Sequence, residues 1–293
     1  MTETGSGKLI LPAAASYSGG TTLSGGTLVV GNNKALGTGT LTVTSGSMIT
    51  ASGGPITLAN ALTLGGNFTV AGSQALTFTG AATLTGTRTI TVTNTSSTTL
   101  AGNIGQSASG LGLTKAGTGT LVLSGTNSYT GTTTITAGTL LVNGSQTGSA
   151  ISVKSGATLG GTGMVGTVTA VSGGHVAPGA GPGLPGILTA AAVTLPSGST
   201  LNVALNGTTA GSGYSQLSAS GTINITGSTL NVSLGFTPAI GNSFTIINNT
   251  GAGAVVGTFS GLTQNGTFAQ NGMVFRISYT GGNGNDVVLT RIS

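Results

Sequence analysis

Short runs of alternating apolar and polar residues recur along most of this chain, separated by glycine, asparagine or serine. Typical runs are Leu41–Val43, Ile56–Leu58 and Leu76–Phe78, each with a threonine between two apolar residues. Alternation with a period of two and enrichment in β-branched residues predict β-strands that bury one face. Because glycine recurs every few residues and no window has helical periodicity, we expect almost no helix.

The stretch Gly117–Val142 has a counterpart 112 residues earlier, at Gly5–Val30. Ile135 takes the place of Leu23, and the other shared positions are identical; in the first copy they are Gly5, Gly7, Leu9, Leu11, Ser16, Tyr17, Gly19, Thr21, Gly26, Thr27, Leu28 and Val30. A fixed offset predicts the same local structure in both copies. Short strands alone fit a β-sandwich or a β-solenoid. The long-range repeat favours a solenoid with coils of roughly 20 residues.

Changes in texture along the chain predict its organisation. Residues 1–174 are predicted to form a β-solenoid with repeats at 5–30 and 117–142. Dense glycine and three prolines over 173–186 argue against a central strand, so residues 175–186 are predicted to form a corner. Strand signals resume over 187–235, which predicts further coils. Five of the seven phenylalanines fall within 236–293, which predicts a C-terminal β cap with thicker packing.

The composition fits a thin core. With 56 glycines, 37% hydrophobic and 4% aromatic residues, the chain has too little side-chain volume for a thick globular core. Its mean hydropathy of +0.39 argues against disorder. No apolar run approaches the roughly 18 residues of a spanning helix, so no transmembrane helix is expected. The polar start, Met1–Gly7, predicts that this chain carries no signal peptide.

Charge is scarce and scattered. Only 3% of the residues are charged, and the formal net charge is +5. Affinity for nucleic acid requires several cations that converge on adjacent phosphates. The basic residues instead stand singly, so no nucleic-acid partner is expected; they are Lys8, Lys34, Arg88, Lys115, Lys154, Arg276 and Arg291.

The sequence offers little for catalysis or metal binding. Glycosidases need paired carboxylates, whereas the carboxylates of this chain are Glu3 and Asp286, near opposite termini. His175 has no carboxylate nearby in sequence to orient it, and the absence of cysteine excludes thiolate sites. The segment 281–289 fits one calcium-binding nonapeptide, but a single copy is better interpreted as a turn before the last strand. We therefore predict no catalytic, cofactor or metal residues.

Threonine and tyrosine leave two binding alternatives open. Alternating threonines over Thr38–Thr44 and Thr87–Thr95 would line strand faces, where threonine favours β structure and solubility. An ice-binding surface would need Thr-x-Thr at the same place on successive coils. Glycan binding would need aromatic platforms, for which the tyrosines are the candidates: Tyr17, Tyr129, Tyr214 and Tyr279. The equivalent positions of Tyr17 and Tyr129 favour packing.

Segments Leu113–Gly131 and Ala137–Leu140 closely resemble the autotransporter-associated β-strand repeat, also called the passenger-associated transport repeat. The first copy is looser, because Pro12–Ala15 replaces a Ser-Gly-Thr-Asn turn, although Ser16–Gly19 is retained. The C-terminal part, including Gly281–Asp286, is similar to the region that follows such repeats in large bacterial surface proteins. The resemblance implies a right-handed parallel β-helix outside a bacterial cell, often a non-catalytic stalk.

These observations predict a non-catalytic, extracellular structural or adhesive β-solenoid of a bacterial surface or matrix. Self-association through the solenoid ends and binding to cell-surface or matrix components are the expected partnerships, because an open β-edge with little charge favours pairing. A dedicated extracellular fibre subunit, an ice-binding solenoid and a glycan-binding solenoid remain alternatives.

Overall fold

The computed structural model describes residues 1–293. All of its assigned secondary-structure elements are β-strands. The prediction of an all-β fold is confirmed. No helix in the structure is long and apolar enough to cross a bilayer. The chain divides into two compact units, one formed by residues 1–140 and 144–149 and the other by residues 141–143 and 150–293.

The first unit is a parallel β-solenoid. Its strands are β1 Thr2–Glu3, β2 Lys8–Leu11, β3 Thr21–Leu23, β4 Thr27–Val30, β5 Leu41–Val43, β6 Ser47–Ala51, β7 Ile56–Leu58, β8 Leu62–Leu64, β9 Phe68–Ala71, β10 Leu76–Phe78, β11 Ala82–Leu84, β12 Arg88–Val92, β13 Thr98–Leu100, β14 Ile104–Gln106, β15 Leu113–Ala116, β16 Thr120–Leu123, β17 Thr133–Ile135 and β19 Ser145–Gln146. Strand β18, Gly138–Val142, holds residues of both units.

Three parallel sheets wrap the core of the first unit. Sheet A contains β1, β3, β5, β8, β11 and β14; sheet B contains β2, β4, β6, β9, β12, β15 and β17; sheet C contains β7, β10, β13 and β16. Each strand pairs with the strand one coil away, so inward side chains stack in ladders. One ladder runs through Leu23, Val43, Leu64 and Leu84, all fully buried. Burying each such side chain contributes about 1.5–3 kcal/mol.

The second unit also stacks parallel strands, and then changes direction. Its strands are β20 Ile151–Val153, β21 Ala157–Gly161, β22 Met164–Val165, β23 Val168–Ala170, β24 His175–Pro178, β25 Ile187–Ala190, β26 Val193–Thr194, β27 Thr200–Leu205, β28 Gln216–Ala219, β29 Ile223–Asn224, β30 Thr229–Leu234, β31 Ser243–Asn249, β32 Thr267–Gln270, β33 Met273–Gly281 and β34 Asp286–Arg291. Parallel pairing ends at β31, after which β34, β33 and β32 pair antiparallel.

Aromatic rings fill the core of this last part. Phe244 is fully buried and meets the ring of Tyr214 edge to face, with 5.4 Å between the ring centroids. Phe236 approaches the same phenylalanine at 6.1 Å. Edge-to-face contacts between aromatic rings here take the place of the aliphatic ladders found in the coils.

The expectation that residues 173–186 contain no central strand is wrong. Strand β24 lies between β21 and β27, and Val176 is in register with both Leu159 and Leu201. Proline is tolerated because Pro178 is the last residue of β24 and the pairing with β27 covers only the first two residues of the strand. The other two prolines, Pro182 and Pro185, follow in the loop.

The two repeat copies share their local structure but lie on different sheets. In the copy at 5–30, β2 and β4 belong to sheet B and β3 belongs to sheet A. In the later copy β16, which corresponds to β2, belongs to sheet C, and β17, which corresponds to β3, belongs to sheet B. Register partners in successive coils are 20 to 22 residues apart in sheet A. Because 112 is not a whole number of such coils, the second copy begins one sheet further round the solenoid.

A glycine in each copy permits close contact between adjacent coils. Gly26 has φ 59°, and a Cβ there would lie 2.5 Å from the carbonyl oxygen of Gly7 and 2.6 Å from that of Gly5. Gly138 has φ 64°, and a Cβ there would meet the carbonyl oxygens of Gly117 and Gly119 at 2.6 Å or less. Positive φ and backbone contact both exclude a side chain, which explains why the repeat has glycine at this position.

Gly138→Ala is expected to destabilise the chain more than Gly156→Ala. Both glycines have positive φ, which costs an L-residue about 1–2 kcal/mol. Only Gly138 has backbone against the added methyl group, whereas the space around Gly156 is open to 4 Å. Thermal unfolding followed by circular dichroism measures the difference. Equal losses in Tm would show that backbone strain alone, and not contact between coils, requires glycine in the repeat.

Candidate functional site

The two carboxylate side chains lie in different units, and each accepts a backbone hydrogen bond. Glu3 lies in the first unit, where its Oε1 accepts a hydrogen bond from the Gly5 amide at 2.9 Å. Asp286 lies in the second unit and is largely buried, and its Oδ1 accepts from the Asn249 amide at 2.8 Å. Each unit therefore has one carboxylate side chain, which acts as an acceptor for its own backbone.

His175 is the first residue of β24 and is not a loop residue. It is half-buried and paired in register with Thr158 and Thr200. No group of three or more histidine, aspartate or glutamate side chains comes together in the structure. The hydrogen bonds of the two carboxylates go to the Gly5 and Asn249 amides and not to this histidine.

The segment 281–289 forms a hairpin turn, as the sequence analysis favoured over a calcium loop. Gly281 ends β33 and pairs with Asp286, which begins β34. The Gly284 amide donates to the Gly281 carbonyl at 2.8 Å, and Gly282 and Gly284 have positive φ. Asn285 is largely buried, and its amide donates to the Gly251 carbonyl at 2.7 Å. The segment thereby joins the loop after β31 to the last hairpin.

The tyrosines of the repeats are packing residues. Tyr129 is fully buried and its hydroxyl shares a 2.7 Å hydrogen bond with Thr133. Tyr17 and Thr21 repeat this bond at 2.8 Å. Thr133 also bonds to the buried side chain of Gln146, so the phenol belongs to a buried polar network. Burial raises the pKa of Tyr129. The predicted packing role is confirmed for Tyr129, whereas Tyr17 is half-buried.

The two other tyrosines do not form an exposed platform either. Tyr214 and Tyr279 are each 7% exposed. The Tyr279 hydroxyl accepts from the Phe259 amide and donates to the Leu262 carbonyl, and burial raises its pKa to about 12. A glycan stacks on an exposed ring face, and these rings have little exposed surface.

The sequence analysis treated Lys115 as one of several scattered cations. In the structure its side chain lies inside the solenoid. It takes an inward position of β15, in register between Ile90 and Ile135, and is fully buried. Its Nζ donates to the carbonyls of Ala116, Gly117 and Ala137 at 2.7–3.1 Å. Desolvation lowers its pKa to about 8. Its place in the alternating run Leu113–Ala116 was the signal that could have revealed it.

This lysine satisfies backbone at the corner between β15 and β16. Three carbonyl oxygens converge there because the chain turns sharply at Gly117, which has φ 76°. In the first copy the equivalent residue is Glu3, which accepts from the amide of Gly5, the counterpart of Gly117. Opposite charges thus bind opposite backbone groups at the same corner, which identifies a structural role for both.

Threonines align across sheet A in a row that the sequence analysis did not find. This threonine column comprises Thr2, Thr22, Thr42, Thr63 and Thr83, each in register with the next. Thr42 and Thr83 are followed two residues later by Thr44 and Thr85. Three of the four spacings are 20 residues and that from Thr42 to Thr63 is 21, so no single period reveals the column. Permitting a one-residue slip per coil would have found it.

A shallow groove lies in the first unit between the loops of successive coils. Its volume is about 400 Å³, and its lining combines small side chains with amides and one cation: Ala15, Asn33, Lys34, Gly37, Thr38, Ala59 and Asn60. The Asn60 amide donates to the Gly39 carbonyl at 2.7 Å and fixes one wall. The lining contains no carboxylate or histidine, and Lys34 is its one charged side chain.

Comparisons with known proteins identify the repeats. The family model described as the passenger-associated-transport-repeat matches residues 1–30 and 113–142. These regions contain both predicted copies and have the same 112-residue offset. The resemblance to this repeat family is confirmed.

A curated relative extends the similarity beyond the repeats. An extracellular serine protease of Serratia marcescens is 34% identical over 188 residues, which is 61% of this chain. The chain spans only 16% of the length of that protein. The match therefore relates this chain to one part of a larger protein.

The stability of the chain is expected to rise from pH 7 to about pH 10 and to fall above it. The folded state loses the Lys115 proton near pH 8, whereas the unfolded chain keeps it to about 10.5, so raising the pH in this window favours folding. Above pH 10 the unfolded tyrosines ionise, while the folded state keeps Tyr129 and Tyr279 neutral. That difference favours unfolding.

Thermal unfolding from pH 7 to pH 11 checks this profile. Lys115→Met should abolish the rise below pH 10 and leave the fall above it. Lys154→Met is the matched control, because Lys154 is exposed, and it should keep the wild-type profile. A profile unaffected by Lys115→Met would contradict the assigned role of the buried ammonium group.

Proposed function

We propose that this chain, which carries two passenger-associated transport repeats on a β-solenoid, is a non-catalytic structural or adhesive element of a bacterial surface or extracellular matrix. The observation that carries the proposal is how its reactive groups are used. The buried lysine, both carboxylates and the repeat tyrosines all form hydrogen bonds that hold coils or turns together. Such groups support the scaffold and do not face a common cleft.

The extracellular assignment draws on the family and on the relative. The repeat is named for the passengers of transported proteins, and the Serratia marcescens protein is named as extracellular. That protein is a protease, but this chain spans 16% of it, and a scaffold region is compatible with an enzyme elsewhere in a longer protein. A surface of threonine, serine and asparagine with 3% charged residues also suits a secreted repeat protein.

The stacked backbone suits a mechanical role. In the first unit every interior strand of a sheet is hydrogen-bonded to a coil on each side, and the side chains at the corners reinforce this pairing. Asn67 Oδ1 accepts from the Thr89 amide at 2.8 Å, and Asn103 Oδ1 accepts from the Thr126 amide at 2.8 Å. Unfolding one coil exposes the edges of both neighbours, so a solenoid resists local opening. Expected partners are cell-surface or matrix components.

The proposal predicts that the purified chain resists proteolysis and does not turn over substrates. Incubation with trypsin and with panels of peptides and polysaccharides tests both. We expect slow cleavage in the folded state and no turnover. The carboxylate and histidine variants Glu3→Gln, Asp286→Asn and His175→Ala are the controls. Turnover by the wild type that one of these variants abolishes would overturn the non-catalytic role.

The threonine column favours a second function, the ordering of water at an ice surface. It places five hydroxyl groups in register on one uncharged sheet face, with neighbouring strands about 4.8 Å apart. In three of these coils a second hydroxyl residue stands two positions further along the chain: Ser24, Thr44 and Thr85. Thr-x-Thr thus occurs on the coils of Thr42 and Thr83, whereas the coil between them has Gly65 at the second position.

An ice-recrystallisation assay tests the threonine column. We expect the wild type to inhibit crystal growth and Thr63→Lys, at the interior of the column, to abolish inhibition because a long charged side chain disrupts the flat row. Thr189→Lys is the matched control, since Thr189 is a half-exposed mid-strand threonine aligned with Met164 and Ser218. Absence of inhibition by the wild type would eliminate this second function.

A further inference from the structure

The chain contains five asparagines that are each followed directly by a glycine. They are Asn143, Asn206, Asn265, Asn271 and Asn283. Asparagine is a thermolabile residue, and it loses its side-chain amide most readily before glycine, which has no side chain to shield its own nitrogen. In that reaction the glycine nitrogen attacks the side-chain carbon Cγ of the asparagine. The structure distinguishes the five pairs by how these two reacting groups are held.

In four of the pairs a hydrogen bond holds one of the reacting groups. In three of them the glycine amide donates to a backbone carbonyl at 2.8–3.1 Å: Gly144 to Leu123, Gly266 to Thr263 and Gly284 to Gly281. In the fourth, the side-chain amide of Asn206 donates to the Gly183 carbonyl at 3.0 Å. Because the bond must break before reaction, it slows the loss of the amide by roughly two- to tenfold.

The pair of Asn271 and Gly272 is held by no such bond. These residues form the two-residue loop between β32 and β33, since Gln270 is in register with Met273. Their φ angles of 49° and 77° are both positive, as in a type I′ hairpin turn. Both residues are exposed, and neither the Asn271 side chain nor the Gly272 amide bonds to another group of the chain. Both reacting groups therefore face water.

The surroundings of this turn leave room for the reaction. Strand β32 is the last strand of its sheet and pairs with β33 alone. A hairpin tip at the end of a sheet opens at lower cost than a coil that has paired strands on both sides. A Cβ added at Gly272 would meet no atom within 4 Å. The Gly272 nitrogen can thus rotate onto Cγ of Asn271 without displacing a neighbour.

We propose that Asn271 is a site of spontaneous deamidation through a cyclic imide formed with Gly272. The Gly272 nitrogen gives its proton to hydroxide and bonds to Cγ of Asn271. The bond from Cγ to Nδ2 breaks, and Nδ2 takes a proton from water and leaves as ammonia. Water then opens the ring at one of its two carbonyl carbons. The inference goes beyond the proposed function, since it depends only on the chemistry of the hairpin tip.

The two ring openings give different products. Opening at Cγ yields aspartate, whereas opening at the backbone carbonyl carbon yields isoaspartate, whose main chain runs through Cβ and Cγ. Either product adds a carboxylate to a chain whose formal net charge is +5 and whose only acidic residues are Glu3 and Asp286. Isoaspartate also lengthens the turn, which no longer matches the two-residue geometry that β32 and β33 require. The modified chain is therefore more acidic and has a weaker last hairpin.

Peptide mapping by mass spectrometry of the folded full chain, incubated at mildly alkaline pH, tests the proposal. Chymotrypsin separates the sites, because Phe268 and Tyr279 lie on either side of Asn271. We expect conversion at Asn271 to be faster than at each of the other four sites by roughly twofold or more. Conversion at Asn271 that is no faster than at Asn265 would overturn the proposal.

Two controls separate the fold from the local sequence. In concentrated urea the hydrogen bonds of the other pairs are lost, so the five sites should convert at similar rates. A preference for Asn271 that persists in urea would refute the structural assignment. Asn271→Gly keeps residues that a type I′ turn accepts and should remove the main acidic form seen by isoelectric focusing. Asn265→Gly is the matched variant and should accumulate that form as the wild type does; its loss there would also refute the assignment.

Discussion

The structure depends on the approach of one backbone coil to the next at the spacing of hydrogen-bonded strands, about 4.8 Å. Along strands this approach is ordinary pairing, but at corners it brings backbone against backbone. Gly26 and Gly138 lie where a Cβ would collide with carbonyl oxygens of the preceding coil. Asparagine side chains bond to backbone amides of the neighbouring coil where the corner interrupts the ladder, as Asn67 does for Thr89. Glycine and asparagine content follows from this constraint.

Because backbone hydrogen bonds hold the coils together, individual side chains can take local structural roles. Inward positions need only fill a thin core, and a buried lysine is accepted at one of them when three carbonyls surround its ammonium group. The same independence lets one repeat occupy different sheets. Tyr17 and Tyr129 make the same bond to a threonine four residues on, although their copies lie one sheet apart. The repeat is therefore a local unit, not a fixed side of the solenoid.

Stacking also creates a problem wherever it stops, since the last coil presents unpaired amides and carbonyls. The second unit uses different solutions for different sheets. An irregular loop pairs with β29 through Val256, and antiparallel strands extend the sheet beyond β31. Just before β30 the same loop bonds again, where the Ser260 amide donates to the Ser228 carbonyl at 2.7 Å.

The sequence by itself determined the all-β class, the two repeats, the packing role of their tyrosines and the turn at 281–286, because each depends on alternation, turn chemistry or identity over short distances. The tertiary structure decided what depends on register between coils. It placed Lys115 between Ile90 and Ile135, aligned the threonine column across coils of unequal length, put the repeat copies on different sheets and made His175–Pro178 a central strand. When the length of one coil changes by a residue, the register of every later coil shifts with it. A local sequence pattern does not contain this cumulative shift.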